Sequence, residues 1–205
     1  MVTIHYFYDP LCGWCFGATP LVEALRLNSR VELKMYAGGM IQRQVMDASF
    51  RSKVKRFDQS IESLTGQQFG EAYKTKIADN ETIVLDSYLT AKAIDLVERT
   101  QAKGFEMLKA IQNAHFVQAK DTSDIKVLKY LAGKLGISEQ EWDKGLEHNA
   151  IEQQIEHTQW LMQRWQVTGF PSLLLARKGE LIKLPHTDFY GNTQQWNAIV
   201  ADLCK

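Results

Sequence analysis

Tyr6-Phe7-Tyr8-Asp9-Pro10-Leu11-Cys12-Gly13-Trp14-Cys15 is the stretch on which the reading of this chain turns. The β-branched and aromatic residues from Val2 to Tyr8 predict a strand. Asp9-Pro10 ends it, because proline donates no backbone hydrogen bond and restricts the residue before it. From Cys12 the pattern is helical. A cysteine in the first turn of a helix faces backbone N–H groups without intrahelical partners and the positive end of the helix dipole. Both favour the thiolate, the nucleophile of disulfide exchange. The Cys-x-x-Cys spacing puts the second sulfur one turn later on the same side. Cys12 is therefore the expected attacking thiol, and Cys15 the shielded, resolving one.

The bulk numbers agree with a redox reading. The chain has 205 residues, 45% of them hydrophobic, enough for a substantial core. Lys plus Arg and Asp plus Glu balance at 24 each, which argues against a nucleic-acid footprint or a charge-driven membrane role. No apolar run approaches the roughly eighteen residues of a membrane span. The N-terminus enters a strand directly, without a basic segment, an apolar stretch and a cleavage site, so a cytoplasmic protein is expected, or a periplasmic one if a signal peptide has been removed. Three cysteines are too few for a disulfide scaffold. Cys204 reads as a bystander.

Working outward, Val31 to Tyr36 is a second strand whose Glu32 and Lys34 suit a sheet edge. Gly38-Gly39 breaks the pattern. From Ile41 to Trp165 the sequence offers helices and no convincing strand. One spans Ser49 to Ser63, with Phe50, Val54, Phe57, Ile61 and Leu64 at three- and four-residue steps. Others span Asp86 to Arg99 and Gly104 to Gln118. Asp121-Thr122-Ser123-Asp124 caps another that closes at Gly136. Ser138 and Glu141 form a capping box, and a last helix runs from Asn149 to Trp165. Ser172 to Ala176 is a buried strand, Arg177-Lys178-Gly179-Glu180 a hairpin turn, Leu181 to Leu184 the return strand, and Thr193 to Leu203 a closing helix. Pro20 is expected to kink the first helix.

The order β-α-β, helices, β-β-α, with Cys-x-x-Cys opening the first helix and Thr168-Gly169-Phe170-Pro171 before the third strand, resembles the thioredoxin fold. The helical block makes it similar to the DsbA-like branch. Gly38-Gly39-Met40, the Ala114-His115-Phe116 and Asp121-Thr122-Ser123-Asp124 runs, and Val167-Thr168-Gly169-Phe170-Pro171-Ser172 resemble more narrowly the FrnE-like, 2-hydroxychromene-2-carboxylate-isomerase-related proteins. The resemblance implies an α/β thioredoxin fold with a large all-helical insertion: residues 1–40 and 166–205 form the two halves of the thioredoxin domain, and 41–165 the insert. It implies a sheet order of second, first, third, fourth strand, which brings Pro171 beside Cys12. It also implies a cis bond before Pro171, with the backbone of Phe170 presented to a substrate peptide. Thioredoxins and DsbA carry a buried acid six residues before the first cysteine. Here Tyr6 stands there. Asp9, His5 and Lys34 are conceivable substitutes, but water is the favoured proton carrier and Asp9 is read only as a strand terminator.

The expected activity is thiol–disulfide exchange with protein, peptide or small thiols, glutathione among them, by a monomer or homodimer without cofactor or metal. Cys12 and Cys15 are the catalytic candidates, and Trp14, Gly169, Phe170 and Pro171 the substrate-binding ones. Trp160 and Trp165 belong either to an apolar rim or, by preference, to the packing between thioredoxin and helical parts. His115, on an apolar stripe, reads as a satisfied histidine, and Met35, Met40 and Met46 as packing. His148 and His157 lack a metal-ligand spacing, and half a zinc site at Cys12 and Cys15 has no second pair to complete it. The rival activity is that of a glutathione-dependent isomerase or transferase of the hydroxychromene-carboxylate or kappa type. Those relatives usually carry a serine in place of the first cysteine, with no resolving cysteine.

Overall fold

The computed structural model of the chain describes residues 1–79, 81–147 and 149–204. Its central strand is β1 (Val2–Tyr8). β1 pairs in parallel with β2 (Val31–Ala37) and antiparallel with β5 (Ser172–Arg177), which pairs antiparallel with β6 (Glu180–Lys183). The order β2-β1-β5-β6 is that of a thioredoxin fold. β2 lies at the edge, its Glu32 and Lys34 exposed. β1 is buried on both faces, which is why its sequence shows no polar alternation. Ile4, Tyr6 and Tyr8 point into the main core with Leu21, Val22 and Leu25 of α1 (Gly13–Arg26). Phe7 points the other way, packing with Leu161 and Leu174. α1 continues through Pro20 to Arg26. α9 (Thr193–Leu203) covers it, and the fully buried Trp196 donates its indole N–H to the Leu21 carbonyl at 2.9 Å.

The segment between β2 and β5 holds α2 (Ala48–Thr65), α3 (Glu71–Ala78), α4 (Ser87–Gln101), α5 (Gly104–Gln112), α6 (Ile125–Lys134), α7 (Glu139–Glu147) and α8 (Ile151–Arg164). Asp47, Asp86 and Asp124 cap α2, α4 and α6 by accepting from backbone N–H groups. Ser138 and Glu141 make the reciprocal capping box before α7. Three features depart from the sequence reading. A two-stranded antiparallel ribbon, β3 (Gln44–Val45) with β4 (Val84–Leu85), sits within the helical segment; two-residue strands are too short for alternation to register. α3 was not expected, since only Tyr73 and Ile77 of it are buried. The helix expected over Gly104 to Gln118 changes to a π turn at Asn113–Val117. On α2, Phe57 and Leu64 are exposed, while Ile61 and Thr65 face the core. Phe50 and Val54 pack beside Ile61, so the expected stripe holds along most of the helix and departs at Leu64.

α2 reaches the first helix through small residues. A Cβ at Gly17 would lie 2.8 Å from Ile61 Cγ2 and 2.9 Å from Thr65 Cγ2. Gly17→Val should therefore cost about 1–3 kcal/mol by overpacking, read as a lower urea midpoint with an unchanged slope.

Candidate functional site

Cys12 is the N-cap of α1, and the first helical bond runs from Phe16 N–H to its carbonyl at 3.0 Å. No acidic residue occupies the first turn, so no carboxylate there offsets the positive helix end. Both cysteines are free thiols. Cys12 retains 8% exposure and Cys15 none. Burial, with the Cys12 sulfur next to it, pushes the Cys15 thiol well above its ordinary pKa, partly offset by the Asp9 N–H that donates to its Sγ at 3.5 Å. The two sulfurs therefore differ: one at the surface end of the helix, one held protonated behind it.

The β1–β5 register sets Phe7 opposite Ser172, so the end of β1 lies beside the start of β5. The Phe170–Pro171 bond is cis, as the resemblance implied. The Cys12 thiol donates to the Phe170 carbonyl at 3.7 Å, across 158 residues of sequence. The Phe170 ring lies over Gly38, where a Cβ would come within 1.9 Å of its Cζ. Trp14 is half-buried and stacks on Tyr190 with centroids 6.0 Å apart. Gly169 accepts from the Ser172 hydroxyl at 2.8 Å.

Asp9 does far more than end a strand. Its carboxylate is fully buried. Oδ1 accepts from Leu11 N–H at 2.9 Å and from the Ser87 hydroxyl at 2.8 Å, and Oδ2 accepts from Met40 N–H at 2.7 Å. Burial raises its pKa and these three bonds pull it back. One side chain thereby ties the cysteine loop to the exit of β2 and the start of α4.

Tyr6, at the position of the family's buried acid, is also fully buried, and its hydroxyl has no hydrogen-bond partner of ordinary geometry. Burial and the nearby Cys15 sulfur raise its pKa well above the ordinary value, so it stays a phenol. His5 and Lys34 are not brought to the cysteines: His5 bonds the Tyr36 hydroxyl on the opposite sheet face at 3.0 Å, and Lys34 pairs with Glu32 at the edge.

A cavity of about 240 Å3 opens beside Cys12. Its wall is mostly apolar, with Met40, Met46, Phe50, Ile61, Phe116 and Phe170 among the lining residues. Asp58, Tyr73 and His115 are its polar members besides the cysteine loop. Met40 and Met46 thus face the site, whereas Met35 packs into the main core. Burial lowers His115 to about 4, leaving it neutral, and its Nδ1 meets the Thr122 hydroxyl at 3.2 Å. Burial raises Asp58 to about 7 against the opposing hydrogen bond from Tyr73. Sequence reasoning missed Asp58, although a signal existed: it lies at helical spacing between Val54 and Ile61, a carboxylate on an apolar stripe.

Trp14 and Phe170 are at the cavity. Trp165 instead packs edge-on against His5, Phe7 and Tyr36, joining α8 to the sheet. Trp160 is neither rim nor packing: it is 52% exposed, stacked on His157 with Arg164 over its ring. Cys204 is half-buried at the end of α9. Among the described residues, no group of three His, Cys, Asp or Glu could hold a metal ion. His148 lies outside them.

These features are those of a thioredoxin-fold thiol enzyme. The chain matches the DSBA-like thioredoxin domain over residues 3–196 and belongs to that family. Its structure is similar to the cytosolic disulfide reductase DsbM from Pseudomonas aeruginosa, with a TM-score of 0.89, 31% identity and 98% of each chain covered. It is similar to the same reductase with GSH, with a TM-score of 0.88, 30% identity and 98% of each chain covered. A 2-hydroxychromene-2-carboxylate isomerase shares the fold, with a TM-score of 0.61 and 12% identity over 98% of this chain and 96% of that one. The sequence-derived resemblance to the DsbA-like branch of the thioredoxin fold therefore holds.

Asp9→Asn replaces an acceptor oxygen by an amide donor facing buried donors. It should cost about 1–3 kcal/mol, measured by urea unfolding, and slow reaction at Cys12. A pH effect follows from the cavity. The neutral His115 gives stability that is lost as pH falls from about 6.5 towards about 4. Asp58 does the reverse: stability present at low pH is lost as pH rises to about 7. The two oppose each other, so Asp58→Asn should gain stability more steeply than wild type between those values, in urea titrations across the range.

Proposed function

We propose that the protein exchanges disulfides through Cys12, with Cys15 resolving the mixed disulfide, and that it works chiefly as a cytoplasmic reductase. The observation that carries this is the pairing of an N-cap thiol with a fully buried one behind it, beside the Phe170 carbonyl that accepts from Cys12. In the reducing direction, the Cys12 thiolate attacks a substrate disulfide and one substrate sulfur leaves. Cys15 then attacks Cys12 Sγ, freeing the second substrate thiol and closing a Cys12–Cys15 disulfide. Burial holds Cys15 protonated until that step. An extended substrate would pair with the Phe170 backbone beside Pro171, flanked by Trp14 and Gly169, as an added strand.

Similarity to a cytosolic disulfide reductase, and to its structure with GSH, supports the reductive direction, the cytoplasmic setting and glutathione as a partner thiol. The cavity beside Cys12 is large enough for a small thiol or a single side chain, and its apolar wall favours an apolar one.

The same cavity supports the second reading, glutathione-dependent isomerisation of a small aromatic acid. The reductase reading is preferred because Cys15 is retained directly behind Cys12.

In a glutathione buffer followed by Trp14 fluorescence, the wild type should close a Cys12–Cys15 disulfide reversibly. Cys12→Ser should lose disulfide reductase activity altogether. Cys15→Ser should accumulate a mixed disulfide at Cys12 with multiple-turnover rates at least about a hundredfold lower. Isomerase activity unchanged in Cys15→Ser, with no disulfide formed in the wild type, would favour the second reading.

A further inference from the structure

We propose that Asp58 is the acid that protonates the departing sulfur when Cys12 opens a substrate disulfide, an inference that rests on the exchange reading above. In the step, Cys12 Sγ bonds to one sulfur of R–S–S–R′ and the substrate S–S bond breaks. R′–S leaves with the electron pair. The Cys12 sulfur attacks as the thiolate, and the Asp58 carboxyl gives its proton to R′–S, leaving a carboxylate that takes up a proton from solvent afterwards. The products are the Cys12–S–S–R mixed disulfide and R′–SH.

Three observations carry it. The first is position. Asp58 and Cys12 line one cavity, and Asp58 Oδ1 lies 3.4 Å from where a Cβ on Gly13 would sit. α2 thus holds the carboxyl against the residue that follows the nucleophile, on the side where the cavity admits a leaving group. The second is elimination. Both Asp9 oxygens are occupied by Leu11, Ser87 and Met40. His115 is kept neutral and bonded to Thr122, and Tyr6 is buried in the core behind the loop. The third is a poised protonation state. Burial brings Asp58 to about 7, so both of its forms are populated near neutrality.

The groups facing Asp58 support this. Tyr73, from α3, hydrogen-bonds the carboxyl and favours its charged form. Glu62, one turn further along α2, disfavours the charge, and Lys74 on α3 favours it. Lys74 is itself drawn to Glu62 at 2.8 Å and to Glu71 at 3.4 Å. Among the described residues, the other walls of the cavity contribute only the Cys12 thiol and the neutral His115 as titratable groups.

The test compares two disulfides on the reduced full chain, reading the rate of mixed-disulfide formation at Cys12. A nitroaromatic disulfide expels an acidic thiol that needs no proton, whereas hydroxyethyl disulfide expels an aliphatic thiolate that does. The aliphatic-to-aromatic rate ratio cancels the thiolate population of Cys12. In the wild type this ratio should fall as pH rises through about 7, where the acid form of Asp58 is lost. In Asp58→Asn it should be flat and roughly tenfold or more lower on the acid side, with the aromatic rate retained. Asp58→Glu should restore the fall. Tyr73→Phe should move it to higher pH, because the lost hydroxyl favoured the carboxylate. A ratio that is the same in wild type and Asp58→Asn, including one in which both rates drop together, overturns the proposal. If the wild type forms no mixed disulfide at Cys12 with either compound, the exchange reading itself fails.

Discussion

The site depends on one buried carboxylate. Asp9 sits where β1 ends, and its two oxygens collect donors from three places: Leu11 in the cysteine loop, Met40 at the exit from β2, and Ser87 at the start of α4. Its own N–H reaches Cys15 Sγ, and its carbonyl accepts from Cys12 N–H. A buried charge is costly unless several donors compensate it. Here those donors are the parts that must be brought together. Satisfying Asp9 and assembling the thiol site on the helical segment are therefore the same event.

Around that anchor the chemistry is divided by direction. On one side of Cys12 lies backbone, the Phe170 carbonyl before Pro171, suited to an extended chain. On another lies an apolar cavity with a carboxyl in its wall. Behind lies Cys15, sealed from solvent. A sulfur at a helix N-terminus thus has three distinct surroundings: a backbone carbonyl, an apolar cavity and a second, buried thiol. Gly38 contributes by its missing side chain, since the Phe170 ring occupies the space a Cβ would need.

Much of this was legible in the chain. Elements with long periodic or strongly capped sequences, such as α1, α4, α6 and the β5–β6 hairpin, announce themselves, because local propensity and burial act together there. The ribbon of β3 and β4 and the short α3 do not, because two strand residues or two helix turns carry too little pattern. On α2 the apolar spacing holds through Ile61, but Leu64 at its end is exposed, and Asp58 lines the cavity among the apolar residues. Periodicity reports that a helix is amphipathic, but a neighbouring helix with glycines at the contact decides which side it accepts.

By itself the sequence determined the dithiol at a helix start, the proline before β5, the order β-α-β, helices, β-β-α that resembles a thioredoxin fold, and the absence of a carboxylate at Tyr6. These are local chemistry and element order, both written along the chain. Only the tertiary structure decided which carboxylates serve the site. Asp9 and Asp58 look like a turn residue and a solvated helix charge in sequence. They become an anchor and a cavity-wall acid because burial and donors from distant segments, not their neighbours in sequence, set what a carboxylate does.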